Sequence, residues 1–527
     1  MIGRREVLGT FVRLRALRGW EAGLALAGLG ALSVWSMAPT YVVPALMIGL
    51  VGWIWALDSG STLRPIRSGF WRGWTFGFGY FFASVWWTVN AFLVEGQSYV
   101  WLIWVPLIVF PAGLALFWGV VGALYRRLNL KGPLRVVIFV ALMIVIEMTR
   151  SVVFSGFPWN LPGHVWAAGG VISQNAAFIG ASGLSALTLF MLSAPAALWG
   201  GERLWMRVLP SACGVLILIG LVSFGAMRLA QAEDQALSET RLRLVHLDIP
   251  QSLKTYEHRF QLLERYLDHS FVPGYQDVDA IIWPEGAIPG FVLRDPDIGQ
   301  RLREQTPDQT RLIIGTPRAT TLDGRIDYYN SLVTLVKNDE KLHLEGVYDK
   351  VKLVPLGEGN PLITVTELLN FTSLSQNSPF YSSGKNASTL TLPGLPSFAP
   401  LICYEAIFPR FIPRGNDRPD WMLNISNDAW YGDSAGPKQL MTMTRYRAIE
   451  EGLAMVRSAS SGVSGQIDGY GRMHDIAPDS SDGVLDFRLL EPLDETFYAV
   501  YGDWPWVSGI FGFLCALAGL FLGFKRR

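Results

Sequence analysis

Charge and cysteine are both scarce in this sequence. Of its 527 residues only 17% are Asp, Glu, Lys or Arg, against about 25% in an ordinary soluble domain; this argues against a disordered chain, a coiled coil and a typical cytosolic enzyme. The 44 basic and 44 acidic residues cancel, so the totals lack the positive excess that nucleic-acid binding needs, and no nucleic-acid partner is expected. Cysteine occurs three times, at Cys213, Cys403 and Cys515, too far apart for a disulfide framework or a paired-cysteine metal site. Six histidines, His164, His246, His258, His269, His343 and His474, fall in no HExxH pair and at no metal-ligand spacing. A GxSxG elbow, a GxxxxGK[ST] phosphate loop and a Rossmann glycine fingerprint after a strand are missing too. Neither metal nor cofactor is expected.

What the chain has is hydrophobic residues, 50% of the total, gathered in long runs. Ala22–Met37, Val42–Leu57, Trp74–Leu93, Trp101–Tyr125, Val136–Met148, Leu184–Trp199 and Val208–Met227 each suit the core of a helix crossing ~30 Å of hydrocarbon. They predict seven membrane helices in a domain over residues 1–230. The composition then turns mixed and strand-rich, with turns such as Asp323-Gly324 and Asp468-Gly469, which predicts a globular domain over residues 240–498. A last apolar run, Val507–Phe524, leads into Lys525-Arg526-Arg527 and predicts an eighth helix within 505–527. The fold class is a multi-pass α-helical membrane bundle joined to an α/β domain.

Orientation follows from the Arg and Lys of short loops, which stay cytoplasmic. Arg4, Arg5, Arg13, Arg15 and Arg18 place the start in the cytoplasm. Arg64, Arg67 and Arg72, then Arg126, Arg127, Lys131 and Arg135, then Arg203 and Arg207 mark alternate loops, whereas Ala38–Tyr41 and Val94–Val100 carry neither residue type. Seven crossings put the globular domain outside the cytoplasm, and the eighth returns the basic end. A cleaved signal peptide is the competing reading of residues 1–38. Against it, another apolar run follows at once and no small-x-small site closes the first.

Within the globular domain, short branched apolar runs stop abruptly at reactive groups. Val278–Trp283 ends at Pro284-Glu285, Phe398–Ile402 at Cys403-Tyr404-Glu405, and Trp421–Ile425 at Ser426-Asn427-Asp428. Buried strands read this way, and ligand sites gather at their carboxyl ends. Tyr348-Asp349-Lys350 and Leu353–Glu358 lie between the first two. A thiol attacks acyl carbon as thiolate, so Cys403 needs a base or a cation to lower its pKa from ~8.5. Glu285 suits the base. Lys350 suits support of thiolate and oxyanion, helped by the backbone N–H after the nucleophile, and Glu358 suits holding either in place. Taken singly, such a cysteine can be a small buried hydrophobe and such charges solvated. A Cys-His pair meeting only in the fold stays open.

In this order, Trp283-Pro284-Glu285, Tyr348-Asp349-Lys350 and Ile402-Cys403-Tyr404-Glu405 resemble the Glu-Lys-Cys set of the nitrilase superfamily. With membrane helices on both sides, the resemblance narrows to the apolipoprotein N-acyltransferase family. Ile249-Pro250-Gln251, Tyr329-Asn330-Ser331, Val354–Glu358, Asn427–Gly432, Gly436-Pro437-Lys438-Gln439, Arg447–Glu450 and Gly156-Phe157-Pro158-Trp159 are similar as well. The resemblance implies a nitrilase-like α-β-β-α sandwich on the periplasmic face of the cell inner membrane, with Glu285 as base, Lys350 as oxyanion stabiliser and Cys403 as nucleophile. It implies Glu358, Tyr404 and Glu405 as supporting or substrate-binding neighbours. Cys403 would take an acyl chain from a phospholipid as a thioester and pass it to the α-amino group of a diacylglyceryl-cysteine apolipoprotein.

The chain departs from the family at several points. Thr255 follows Lys254 where Trp is common, Leu440 follows Gln439 where His is common, Ser460-Ser461-Gly462 replaces an Asn-Thr-Gly turn, and Gly359-Asn360-Pro361 lacks the usual aromatic. With Glu, Lys and Cys intact, these positions are expected to tune substrate contacts, as in a paralogue with an altered donor or acceptor. A membrane-anchored amidase, with water as the second acceptor, is the alternative enzyme. The apolar stretches Ile288–Leu293, Leu368–Phe371 and Ala406–Ile412 suit either dipping into headgroups or packing in the core. A transporter is disfavoured because Glu147 is one of few intramembrane charges.

Overall fold

A computed structural model describes residues 17, 19–94, 97–199, 203–232, 237–322, 325–355, 357–359, 380–477, 481–509 and 512. Arginines 4, 5, 13, 15 and 18, the Asp323-Gly324 turn, Leu356, Asn360-Pro361, the Leu368–Phe371 stretch, Cys515 and most of the Val507–Phe524 run lie outside these residues. The chain divides into two units: Met1–Thr88, Ile103–Gln231 and Thr496–Arg527 form one, and Val89–Leu102 with Ala232–Glu495 the other.

In the first unit all seven apolar runs are helical, at Gly19–Ser33, Val43–Asp58, Pro65–Val85, Phe110–Leu128, Leu134–Arg150, Ala176–Ser193 and Leu204–Ala230. Among the described residues, three stretches are long and apolar enough to cross a membrane by length and composition: Val100–Leu128, Ile172–Leu198 and Leu204–Ala230. Helices Gly19–Ser33, Val43–Asp58 and Leu134–Arg150 have 15, 16 and 17 residues, short of the ~20 that span hydrocarbon.

Glycine sets how closely these helices approach. A Cβ on Gly122 would lie 2.2 Å from the Gly69 carbonyl oxygen, and one on Gly79 would lie 2.0 Å from that of Ala27, so the backbones touch, as small residues permit in membranes. Around this seam Trp53 stacks with Phe76 and with Trp118, at 4.6 and 5.5 Å, with Phe139 edge-on at 5.0 Å. The Phe76–Tyr80 stretch is thus a packing element. Glu147, buried, accepts from Trp118 Nε1 at 2.7 Å and pairs with Arg150. Arg150 also donates to the carbonyls of Phe157 and Trp159, so this buried charge pair anchors the Gly156–Trp159 segment.

In the second unit the alternation of the strands builds four layers. One sheet has the order β11-β1-β2-β3-β4-β5 and the other β10-β9-β8-β7-β6. The strands are β1 (Leu237–His246), β2 (Ala280–Ile282), β3 (Arg311–Leu322), β4 (Arg325–Asn338), β5 (Lys341–Asp349), β6 (Phe398–Ile402), β7 (Trp421–Asn427), β8 (Ala454–Ser460), β9 (Ser464–Ile467), β10 (Met473–Ala477) and β11 (Gly483–Leu490). Successive side chains point to opposite faces. Leu242, Ile282 and Ile313 of the first sheet meet Phe398, Ile402, Trp421, Leu423 and Val456 of the second in one core. Ile281, Leu312 and Ile314 face outward onto helices Arg259–Ser270 and Pro296–Gln305. Leu401, Met422 and Met455 pack against helix Gly436–Glu451. This is the α-β-β-α sandwich. Strand pairs β1–β2, β2–β3, β6–β7 and β7–β8 are parallel, so the carboxyl ends of β2 and β3 align with each other, as do those of β6, β7 and β8.

Gly122→Ala drives a methyl into the Gly69 carbonyl and should destabilise by about 1–3 kcal/mol. Gly113→Ala, with nothing within 4 Å of the added carbon, should be neutral or stabilising. Melting midpoints in detergent that rank the two the other way would refute the close-packed seam.

Candidate active site

The strand ends bring the sequence candidates Glu285, Lys350 and Glu358 into one buried cluster. Glu285 leaves β2, held where Trp283 N–H donates to the Ile313 carbonyl at 2.9 Å. Its approach to β3 requires Gly315, where a Cβ would lie 2.6 Å from Glu285 Cα. Lys350 follows β5, with each preceding residue tied down: Tyr348 Oη donates to Glu405, and Asp349 accepts from Ser331 and Arg318. Lys350 Nζ donates to Glu358 Oε1 at 2.8 Å and Glu285 Oε1 at 3.3 Å. Asn330 Nδ2, on β4, donates to the same two oxygens at 2.7 Å each. Two carboxylate oxygens and two nitrogens thus form a closed ring. Glu285 Oε2 accepts from the backbone N–H of Asn427 at 2.9 Å, and Glu358 Oε2 from that of Val354 at 2.9 Å.

Cys403 sits where β6 turns into a short 3-10 segment, with φ of 48°, a left-handed backbone that a non-glycine residue adopts only when its surroundings hold it. Glu405 does the holding. Completely buried, it accepts from Ile402 N–H at 2.8 Å, Val351 N–H at 2.7 Å, Lys352 N–H at 3.1 Å and Tyr348 Oη at 2.9 Å, joining the Cys403 turn to the Lys350 loop. Burial pushes its carboxyl up to about 7 against the pull of those N–H donors and Lys350. Tyr404, also buried, meets Phe408 edge-on at 5.1 Å.

The Cys403 thiol is pushed up to about 12, by burial first and by the Glu285 charge second, with Lys350 and Ser426 opposing. The expectation of a cation-lowered thiol is therefore corrected: desolvation outweighs the ammonium, and the resting pair is a neutral thiol beside a carboxylate. Sγ lies 3.9 Å from Tyr431 Oη, whose own proton burial retains. The Tyr431 carbonyl accepts from Asn90 Nδ2 at 2.5 Å. Below it, Asp428 takes both oxygens to Arg457 Nη2 at 2.9 Å and accepts from Ser426 Oγ at 2.7 Å.

Asn330, Asn427, Lys254 and Tyr431 were not singled out from sequence as site residues; each stood only inside a longer motif. The signal available was a polar residue closing an apolar strand, as Asn427 does after Trp421–Ile425. Leu440 is fully buried within its helix and Ser460 fully buried at the end of β8, so neither departure faces solvent. Thr255 Oγ1 hydrogen-bonds His258 Nδ1 at 2.8 Å. Ile288 and Val292 belong to the core behind the first sheet, and Ala406, Ile407, Phe408 and Ile412 are buried. Those residues pack in the core, whereas Leu293 is exposed and Phe291 and Phe411 are half-buried. Among the described residues no group of three His, Cys, Asp or Glu is placed to hold a metal ion.

Residues 29–194 match the apolipoprotein N-acyltransferase N-terminal domain, and residues 241–481 match the carbon-nitrogen hydrolase family. An apolipoprotein N-acyltransferase of Rhodopseudomonas palustris is 36% identical over 92% of this chain and 93% of its own. The chain belongs to the apolipoprotein N-acyltransferase family. Relatives of the same name from Caulobacter vibrioides, 36% identical over 92% of each chain, and Allorhizobium ampelinum, 35% over 90% of each, agree. Membership makes the protein a membrane-embedded acyltransferase of the carbon-nitrogen hydrolase superfamily, and the four-layered sandwich is where that superfamily's domain matches.

Removing Asp428 leaves Arg457 buried and unpaired, which costs about 3–5 kcal/mol. Asp428→Ala should lower the denaturation midpoint strongly, and adding Arg457→Leu should recover part of the loss. No recovery in the double variant would mean that Asp428 matters for some other contact.

Proposed function

We propose that the protein N-acylates apolipoproteins by a ping-pong reaction in which a phospholipid supplies the acyl chain. What carries the reading is the ring of Glu285, Lys350, Glu358 and Asn330 beside a thiol that is neutral at rest. Glu285 takes the Cys403 proton as Sγ attacks the ester carbonyl. The oxyanion is stabilised by Lys350 and the N–H of Tyr404. Collapse expels the lysophospholipid alkoxide, which receives the proton from Glu285, and leaves a thioester. The α-amino group of the diacylglyceryl-cysteine acceptor then attacks, Glu285 takes its proton, and the thiol leaves reprotonated as the amide forms. Glu358 holds Lys350, Glu405 holds the Cys403 turn, and Tyr404 supplies the N–H after the nucleophile. The named relatives support the acceptor class.

Both substrates are membrane lipids, so a catalytic domain on the periplasmic face of the inner membrane suits them, with domains over 1–230, 240–498 and 505–527. A reporter fused after Tyr498 should be active only outside the cytoplasm and one after Arg527 only inside. Cytoplasmic activity from the first fusion would refute this orientation.

Incubation with phospholipid alone should leave an acyl mass on the Cys403 peptide, released by hydroxylamine. Cys403→Ala should abolish adduct and turnover; Glu285→Gln should slow adduct formation by about 10²–10⁴-fold, and Lys350→Met by about 10²–10³-fold. An adduct surviving Cys403→Ala, or full activity without Glu285, would place the chemistry elsewhere.

A further inference from the structure

The ring leaves a charge unbalanced. Glu285 and Glu358 carry two negative charges and share one ammonium, that of Lys350, whose side chain is fully buried. Buried charges persist when they are compensated. The neighbouring Asp428 cannot supply the missing positive charge, and Arg457 is already engaged by Asp428 through both carboxylate oxygens. Glu405 is satisfied by three backbone N–H groups and Tyr348.

Lys254, in the turn after β1, stands on the other side of Glu285. Its Nζ donates to Asn427 Oδ1 at 2.8 Å. Asn427 Nδ2 donates to Gln251 Oε1 at 2.9 Å, and Asn427 N–H donates to Glu285 Oε2 at 2.9 Å. With its amide gripped at both ends, Asn427 has one orientation, and it presents its N–H to the Glu285 oxygen that the ring does not use. We propose that Lys254 is the second counter-cation of the site, a positioning residue that keeps Glu285 ionised and correctly placed by acting through Asn427. This rests on Glu285 being the base of the acyl transfer.

The electrostatics agree with that geometry. Burial presses the Lys254 ammonium down to about 7, while Glu285 and Asp428 hold it up. The positive charge is therefore present below neutrality and fades above it. The other groups that face this pair are Lys350 and Glu358 beside the ring, Cys403 and Tyr431 at the thiol, and Asp428 with Arg457 at the β7 end, while His258, in the same turn as Lys254, bonds Thr255. None of these is altered in the test.

The test is the pH dependence of Cys403 acylation by phospholipid vesicles, read by mass on the intact, full-length protein. Lys254→Gln keeps a donor without charge and Lys254→Met removes both. In each, the acidic limb should move up by about one pH unit, an approximately tenfold loss at acidic pH with little change on the alkaline plateau. Lys254→Arg should bring the limb back. A merely structural role would lower all pH values alike and leave the limb in place, and that outcome, in variants whose melting midpoints show them folded, overturns the proposal. Should Lys254→Met fail to fold, Lys254→Gln alone decides. Glu285→Gln separates the two levels: if it acylates like the parent, the reading of the base has failed; if it is slow but Lys254→Gln keeps the parental limb, only the role of Lys254 has failed.

Discussion

A single buried ammonium shared by two carboxylates organises the catalytic half of this molecule. Lys350 Nζ reaches Glu285 and Glu358 from a loop whose place is set by β5, while Asn330 closes the ring from β4. In water such a cluster would be worth little, because each charge would be solvated separately. Here burial strengthens every contact and makes each vacancy costly. The surrounding structure serves that requirement. Gly315 lets Glu285 lie against β3, Arg318 and Ser331 fix Asp349 beside Lys350, and Glu405 ties the nucleophile's turn to the same loop.

The same burial decides how the thiol works. A cysteine exposed beside a lysine would rest partly as thiolate, open to oxidants and to water. Enclosed as it is, Cys403 keeps its proton at rest, so in the proposed reaction Glu285 removes it only as an acyl carbon is attacked, nucleophile and base acting together. That arrangement suits the proposed thioester, which would have to outlast the departure of one lipid and the arrival of another. The membrane unit follows different rules. Hydrophobicity does not sort one helix from another in lipid, so close backbone contact at Gly69, Gly79 and Gly122 and the buried Glu147–Arg150 pair supply the specificity instead.

Much of this was legible in order along the chain. The run Phe398–Ile402 is β6 residue for residue, Trp421–Ile425 lies within β7, and all seven apolar runs are helical. The reactive residues stood out because a charged or nucleophilic group ending a branched apolar run is unusual. The surroundings of Leu440 were not legible, because a helix shows its hydrophobic face in sequence but not what covers it; in helix Gly436–Glu451 nearly every residue is buried. The apolar stretches around Ile288 and Phe408 were ambiguous for the same reason, and the core claims Ile288, Val292, Phe408 and Ile412.

What the sequence determined alone is therefore the local part: periodicity, strand and helix identity, the split between apolar and mixed halves, and the types of group offered for chemistry. These depend on neighbours within a few residues. Tertiary structure decided which groups meet and in what charge state. Asn427 and Glu285 are 142 residues apart, Lys254 and Asn427 are 173 apart, and nothing in either segment encodes the other's position. Their meeting depends on the registers of two sheets and the packing between them. The neutral thiol likewise reflects desolvation by the whole fold, a quantity that no short stretch of sequence contains.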